Sequence, residues 1–409
     1  MLLNKSNYLI LLFCINWSFY AAGSIYKDIP DGRRYNEIMW IGAHNANCSH
    51  AYGWGTVNQN VSLETMLAKN VRLFLLDIHF KEDEPDREIQ RKSKQIGDEV
   101  ETKPKAEIDS KKVILSNEKI NEVAKTPVMC HGDCAITKGL LRPISLTMGL
   151  EKLSKYIALF GKFLRENPRE IISVYFESYT GMDLEAIFQK AEVSDLVFRV
   201  KDSESLFKQN PSLWPTIGEL RKAGKRLIFF TNNHSDNGAM VFSSFAKETH
   251  WDLMEGDHCR SRTGSESLST INFWLLNNFY SWVFGDTLAS DSRFTLLPNH
   301  GLLNSDDLIE RIEEKCLSAW KSLPVWLGLD FAHRQSSGFY KTGKLGDWVK
   351  KVNQLPPELF YNSYSSISQG YKDEINKYFN FEEFQNNTEI KELYQKYKTI
   401  ISPSSILTE

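Results

Sequence analysis

Eight short apolar runs, separated by polar or helix-like stretches, constrain this chain more than any other feature. The runs lie at residues 38–43, 71–78, 128–130, 171–177, 196–200, 226–232, 273–277 and 324–331. They are apolar at nearly every position, which is typical of strands that are buried on both faces of a parallel sheet. Residues 62–68, 150–164 and 305–318 have the periodicity of helices. This alternation predicts an α/β protein, a (β/α)8 TIM barrel of regular or distorted shape.

The 409 residues divide into predicted regions around this barrel, which we place at residues 28–355. Residues 1–23 are predicted to be a signal peptide, because a short apolar stretch precedes the small residues Ala21-Ala22-Gly23. A membrane anchor is the alternative, although Asn16 interrupts its apolar stretch. The tail at 356–409 is predicted to pack on the barrel as short helices.

Residues 81–125 do not fit the barrel pattern. From Lys81 to Lys112, 19 of 32 residues are charged, with both signs mixed. Such a segment cannot bury enough apolar surface to form a core. We therefore predict an exposed, flexible insertion between the second and third strands.

Net charge and cysteine content indicate which partners and which redox state to expect for this protein. The formal net charge is −3 and no basic patch stands out, so nucleic acid is not an expected partner. We expect a secreted monomer. Cleavage of the signal peptide would leave Cys48, Cys130, Cys134, Cys259 and Cys316, enough for two disulfides and one thiol in an oxidising compartment. Cys130 and Cys134 bracket His131, but the sequence has no second Cys/His pair at zinc spacing, so a disulfide or buried thiols are favoured over a metal clip.

Polar side chains follow most of the apolar runs at the point where each predicted strand ends. They are His44-Asn45, Asp77, His131, Glu177, Asn232, Asn277 and Asp330. The carboxyl ends of barrel strands share one rim, and barrel enzymes carry their active sites there. One buried polar residue usually has a structural role, but seven such strand ends predict a functional rim.

The residue types at this rim indicate acid–base chemistry. His44 and His131, on different strands, can act as base and acid in one reaction. Asn45, Asp77 and Glu177 supply the hard oxygen ligands that Ca²⁺ or Mg²⁺ accepts. Such a cation would offset negative charge that develops on a phosphate.

An ordered set of motifs resembles the phosphatidylinositol-specific phospholipase C superfamily, whose members are TIM-barrel phosphodiesterases. The resemblance is greatest to its secreted X-domain-like members and covers roughly residues 36–340. The motifs are Gly42-Ala43-His44-Asn45-Ala46, Val71-Arg72, Leu76-Asp77, Cys130-His131-Gly132, Asn167-Pro168-Arg169-Glu170-Ile171-Ile172, Glu177, Trp214-Pro215-Thr216, Lys225-Arg226-Leu227-Ile228-Phe229-Phe230 and Leu327-Gly328-Leu329-Asp330-Phe331.

The resemblance implies a role for each of these rim residues. His44 and His131 correspond to the two catalytic histidines of the superfamily. Asn45, Asp77 and Glu177 correspond to metal-ligand positions of its calcium-dependent members. The expected cofactor is therefore Ca²⁺ or Mg²⁺.

Other positions need separate interpretation. Asp330 lies where a carboxylate could orient the imidazole of His44. Leu75 stands where the calcium-dependent signalling enzymes carry a second strand-two carboxylate, and His79 lies near the rim arginine of the metal-independent bacterial enzymes. Arg72 precedes Asp77 by five residues, near the start of its strand, so we predict that it is structural.

These features predict a phosphoric diester hydrolase of the phospholipase C type. Its substrate would be an inositol phospholipid or a glycolipid, reached by peripheral contact with a membrane. Two alternatives stay open. The chain can be a non-catalytic secreted protein that binds a lipid or its headgroup, or a phosphodiesterase for another headgroup.

Overall fold

A computed structural model describes most of the predicted barrel and its tail. The described residues are 24–52, 58–59, 61–80, 127–129, 153–178, 181–200, 214–249, 261–263, 271–276, 309–310, 312–329, 344–361 and 368–401. The predicted signal peptide, the charged insertion, His131, Asn277 and Asp330 lie outside these residues.

Eleven strands make one sheet in the described part of the chain. They are β1 (Trp40–Ala43), β2 (Leu73–Phe80), β3 (Pro127–Met129), β4 (Ile172–Ser178), β5 (Val197–Phe198), β6 (Leu227–Thr231), β7 (Met240–Val241), β8 (Ala246–Thr249), β9 (Ser261–Thr263), β10 (Ile271–Leu276) and β11 (Trp326–Leu329). Each of the eight predicted runs overlaps a strand. The strands β7, β8 and β9 are additional.

The strand order is β5-β6-β4-β2-β1-β11-β10-β8-β9, with β3 beside β2 and β7 beside β6. Every neighbouring pair is parallel except β2–β3 and β8–β9. The prediction of an α/β fold with a parallel sheet is therefore confirmed. The third run departs from the prediction: β3 runs antiparallel to the end of β2, and β2 pairs directly with β4.

Contacts between distant strands show that this sheet curls into a barrel. The rings of Phe230 on β6 and Trp326 on β11 lie 4.8 Å apart, although three strands separate β6 from β11 in the sheet. Two such rings can meet only across the inside of a curved sheet. β7 bonds to β6 and β8 bonds to β10, so the described ladder is interrupted only at the short 3-10 turn Phe242–Ser244 between them.

A cluster of aromatic side chains lies inside the barrel, and we call it the aromatic floor; it includes Tyr35, Trp214 and Trp326. Tyr35, from a 3-10 turn before β1, donates or accepts a hydrogen bond with the Ser173 hydroxyl at 2.6 Å and accepts one from Nε1 of Trp326 at 2.8 Å. Its ring lies 5.0 Å from that of Trp214. Burial raises the pKa of Tyr35 well above its ordinary value, so the hydroxyl stays neutral. The floor joins β4 to β11 beneath the rim.

Helices cover the outside of the sheet. They are α1 (Leu63–Ala68), α2 (Leu153–Glu166), α3 (Leu184–Lys190), α4 (Ile217–Lys222), α5 (Leu317–Trp320), α6 (Lys344–Val352), α7 (Gln369–Asn376), α8 (Phe381–Asn386) and α9 (Thr388–Ile401). The ring of Phe160 on α2 lies 4.7 Å from Phe74 of β2, and Phe188 of α3 stacks on Phe229 of β6 at 4.3 Å. None of the helices in the described ranges is long and apolar enough to cross a membrane.

The tail helices are joined to the barrel by hydrogen bonds. Tyr397 of α9 accepts from Nε1 of Trp348 and donates to Glu313, both at 2.6 Å. Tyr361 donates to Glu37 at 2.7 Å, close to the start of β1. The prediction of a helical tail that packs on the barrel is confirmed.

A buried ion pair lies at the start of β2. Nε of Arg72 donates to Glu170 at 2.8 Å, and both side chains are almost fully buried. The guanidinium also donates to the carbonyl oxygens of Leu67 and Val71 and lies 4.8 Å from the ring of Phe163. As the sequence predicts, Arg72 lies at the end of the strand away from Asp77.

We predict that Glu170→Ala lowers the free energy of unfolding by about 3–5 kcal/mol, because it leaves the buried Arg72 without its carboxylate. The matched control is Asp195→Ala. Asp195 pairs with Arg165 at 2.8 Å, but its side chain is 63% exposed, so the expected loss is below about 1 kcal/mol. Urea unfolding measures both; equal losses would contradict this account.

The same pair predicts a dependence on pH. Burial raises the pKa of Glu170, but the charge and hydrogen bond of Arg72, together with a hydrogen bond from Ser24 and the charge of Arg221, hold this pKa below its ordinary value. The stabilisation is thus complete above the unfolded-state pKa of about 4.3 and is lost as the pH falls through the lower folded-state pKa. Glu170→Ala should lack this part of the acid transition.

Candidate active site

The end of β1 presents His44 at the rim. Its backbone N–H donates to the carbonyl of Leu329 at 3.0 Å, which continues the β1–β11 ladder by one residue. Side chains alternate along a strand, so His44 shares the inner face with Trp40 and Gly42. His44 is partly exposed, whereas Trp40 and Ala43 are buried. The imidazole therefore belongs to the upper edge of the barrel interior.

A tight turn follows and holds Asn45. Its φ of +44° lies in the left-handed region, which asparagine adopts more readily than most residues. The carbonyl of Asn45 accepts from the backbone N–H of Cys48 at 2.8 Å, and Ala46 donates to the carbonyl of Leu75 at 2.9 Å. The amide nitrogen of Asn45 donates to Oδ1 of Asn58 at 3.3 Å. This residue is 3% exposed and lies between the ends of β1 and β2.

Asp77 and Glu177 are register partners on the neighbouring parallel strands β2 and β4. Partners in a parallel pair project their side chains from the same face. That face is the inner one, because Tyr175, two residues before Glu177, lies 4.5 Å from Phe242 inside the barrel. Asp77 is 3% exposed and Glu177 is partly buried. The strand register thus brings two of the predicted metal ligands together.

Leu75 lies one inward-facing position below Asp77. It is 5% exposed and is the register partner of Tyr175, so it contributes to the apolar layer under the rim. Among the residues that the structure describes, no three His, Cys, Asp or Glu side chains come close enough to hold a metal ion. The predicted ligand set has only two carboxylates and adds the Asn45 amide oxygen.

The other predicted rim residues fall into two groups. His131 and Asp330, predicted to be catalytic, and Asn277 lie outside the described residues. Asn232 is described: its Oδ1 accepts from the backbone N–H of Ser178 at 2.8 Å, and its own N–H donates to the carbonyl of Phe176. Asn232 therefore joins the ends of β4 and β6.

Sequence reasoning missed Asp236, which organises the segment after Glu177. Its carboxylate accepts from the Ser178 hydroxyl at 3.2 Å, the Met182 backbone N–H at 2.7 Å and the Thr231 hydroxyl at 2.5 Å. Asp236 is 7% exposed and lies in a turn, not at a strand end. The sequence feature that could have identified Asp236 is the polar stretch Asn232-Asn233-His234-Ser235-Asp236, which directly follows β6.

Asn58 and Gln59 were also missed. In the sequence they lie between the first strand and α1 and belong to no apolar run. Both are almost fully buried, and both backbone N–H groups donate to the carbonyl of Cys48 at 3.0 Å. These two residues thus lie against the end of β1.

Comparison with known proteins decides the family. The family model described as PI-PLC X 1 matches residues 115–337, more than half of the 409-residue chain. The chain belongs to this phosphatidylinositol-specific phospholipase C family. The matched segment includes Glu177 and the position of His131, whereas His44 and Asp77 precede it.

Two solved structures of phosphatidylinositol-specific phospholipase C are similar to this chain. The protein from Listeria monocytogenes shares 11% identity at a TM-score of 0.40, over 80% of this chain and 97% of that chain. A mutant of the protein from Staphylococcus aureus shares 12% identity at a TM-score of 0.40, over 81% and 96%. None of the curated proteins matches the chain.

We predict that Asp236→Asn lowers the free energy of unfolding by about 1–3 kcal/mol, because one buried donor loses its acceptor. Asp183→Asn is the matched control. Asp183 is exposed and accepts from Ala186 at the start of α3, where asparagine is an equally good cap. Urea unfolding of both variants is the measurement. A loss for Asp236→Asn no larger than for the control would contradict the role given to this carboxylate.

Proposed function

We propose that this protein is a secreted phosphoric diester hydrolase of the phospholipase C type. The observation that carries the proposal is the meeting of the ends of β1, β2 and β4 at one rim. There His44 follows β1, and the carboxylates of Asp77 and Glu177 are register partners. Membership in the phospholipase C family supports the reaction class. The proposed substrate is an inositol phospholipid or a glycolipid with the same linkage.

In the proposed reaction, a hydroxyl of the headgroup next to the phosphate attacks phosphorus. His44 accepts the proton of that hydroxyl as the new P–O bond forms. The bond from phosphorus to the diacylglycerol oxygen breaks, and His131 donates a proton to this leaving oxygen. The products are a cyclic phosphodiester of the headgroup and diacylglycerol. Asp330 is proposed to orient His44 and to fix its tautomer.

The residues at the rim fit a hard divalent cation, Ca²⁺ in preference to Mg²⁺. Asn45, Asp77 and Glu177 offer oxygen atoms from three neighbouring strand ends, and calcium tolerates irregular sets of carboxylate and amide oxygens. Such a cation supplies charge stabilisation for the phosphate when it is bound. With Leu75 in place of a third carboxylate, water or substrate oxygens would complete the coordination.

A second candidate function is binding without turnover, and the specific observation that favours it is Leu75. This buried leucine stands where the superfamily resemblance leads us to expect a ligand. A non-catalytic protein of this kind would bind an inositol headgroup or lipid and leave its phosphodiester intact. Turnover measurements distinguish the two functions directly.

We predict that His44→Ala and His131→Ala each lower turnover of labelled phosphatidylinositol at least about 100-fold, because each removes one proton-transfer group. His234→Ala is the control, since His234 is exposed in the loop after β6 and has no proposed role. It should keep activity within about twofold. Normal turnover by both histidine variants would contradict the mechanism, and no turnover by the wild-type protein would favour binding alone.

A further inference from the structure

Asn58 and Gln59 hold the end of β1 in place through hydrogen bonds of both their backbone and their side chains. The carbonyl of Cys48 accepts from the backbone N–H groups of both residues at 3.0 Å. Asn58 is 3% exposed and Gln59 is fully buried. Asn58 and Gln59 therefore lie against the turn that follows His44.

Gln59 connects two strand ends. Its amide nitrogen donates to the carbonyl of His44 at 2.8 Å and to the carbonyl of Leu329 at 3.0 Å. β1 and β11 are thereby joined one residue beyond their last register pair, Ala43 and Leu329. The backbone that carries His44 and Asn45 is held from the side opposite β2.

Asn58 acts on the side chain of Asn45. Its Oδ1 accepts from the amide nitrogen of Asn45 at 3.3 Å. The oxygen and the nitrogen of a carboxamide project to opposite sides of its planar group. An acceptor that holds the nitrogen therefore turns the oxygen of Asn45 away from Asn58. This orientation matters because Ca²⁺ binds the oxygen of an asparagine and never its NH₂ group.

We propose that Asn58 is a positioning residue, which selects the amide orientation in which the Asn45 oxygen serves as a cation ligand. The inference rests on the proposed cation site at Asn45, Asp77 and Glu177. Hydrogen-bond partners of metal ligands commonly contribute 10–100-fold to metal affinity because they orient the ligands. The role requires a hydrogen-bond acceptor at position 58, and nothing else about asparagine is needed.

Direct binding of calcium tests the proposal without reference to activity. Metal-free wild-type protein, Asn58→Leu and Asn58→Asp are titrated with Ca²⁺ alone by isothermal titration calorimetry. Leucine has the same branched arrangement of side-chain heavy atoms but no acceptor, so Asn58→Leu should weaken calcium binding about 10–100-fold. Aspartate keeps an acceptor oxygen, so Asn58→Asp should bind calcium at least as tightly as the wild-type protein.

The matched control is Asn353→Leu at the other end of β1. The amide of Asn353 accepts from the N–H of Met39 at 2.7 Å and donates to its carbonyl at 3.3 Å. Removing these bonds loosens the start of the strand and should lower the urea midpoint. Calcium affinity should stay within about twofold, since the rim is untouched.

The outcomes separate this inference from the proposed function. Wild-type affinity in Asn58→Leu overturns the positioning role and leaves the cation site standing. If the wild-type protein does not bind calcium, both the cation site and the positioning role are overturned. The proposed phosphodiesterase activity is tested separately, by turnover of phosphatidylinositol. If Asn58→Leu does not fold, Asn58→Ala removes the same acceptor with less steric demand, and the same loss of affinity is expected.

Discussion

The parallel register between β2 and β4 determines where Asp77 and Glu177, the two carboxylates of the proposed site, lie. Six consecutive pairs, from Leu73–Ser173 to Ile78–Ser178, align the two strands. A slip of one residue would turn either Asp77 or Glu177 outward toward the helices. Packing on both faces opposes such a slip: Phe74 contacts α2 outside, and Ser173 bonds to Tyr35 inside. The position of the carboxylates is thus a consequence of apolar packing along the whole strand.

The buried ion pair and the proposed site lie at opposite ends of β2. At the amino end of β2, the charge of Arg72 is compensated by Glu170 and by backbone carbonyls. At the carboxyl end, Asp77 and Glu177 are register partners on the inner face of the sheet. The aromatic floor around Tyr35 and Trp326 separates the two ends.

Most of the fold could be predicted because its main strands lie in nearly continuous apolar runs and its main helix is strongly amphipathic. β8 and β9 were missed because Ala246-Lys247-Glu248-Thr249 and Ser261-Arg262-Thr263 carry no apolar run. The predicted pairing of β3 was wrong, because a run of three residues does not indicate whether a strand is parallel or antiparallel to its neighbour. Tertiary contacts decide such short elements.

The site was predicted where a polar residue ends a strand, as for His44, Asp77 and Glu177. Asn58, Gln59 and Asp236 were not predicted because they lie outside the strands. Their contacts depend on which strand end their segment packs against in the folded chain. No local pattern encodes that packing. The catalytic and metal-binding roles of all these residues stay predictions, and His131 and Asp330 also lie outside the described residues.

The product of the reaction tests the central claim most directly. Attack by a neighbouring hydroxyl must first form a five-membered cyclic phosphodiester, whereas attack by water would give a phosphomonoester at once. Phosphorus-31 NMR of phosphatidylinositol vesicles with the wild-type protein should therefore show the cyclic product appearing first, together with released diacylglycerol. A phosphomonoester from the earliest time point, or no change in the spectrum, would contradict the account.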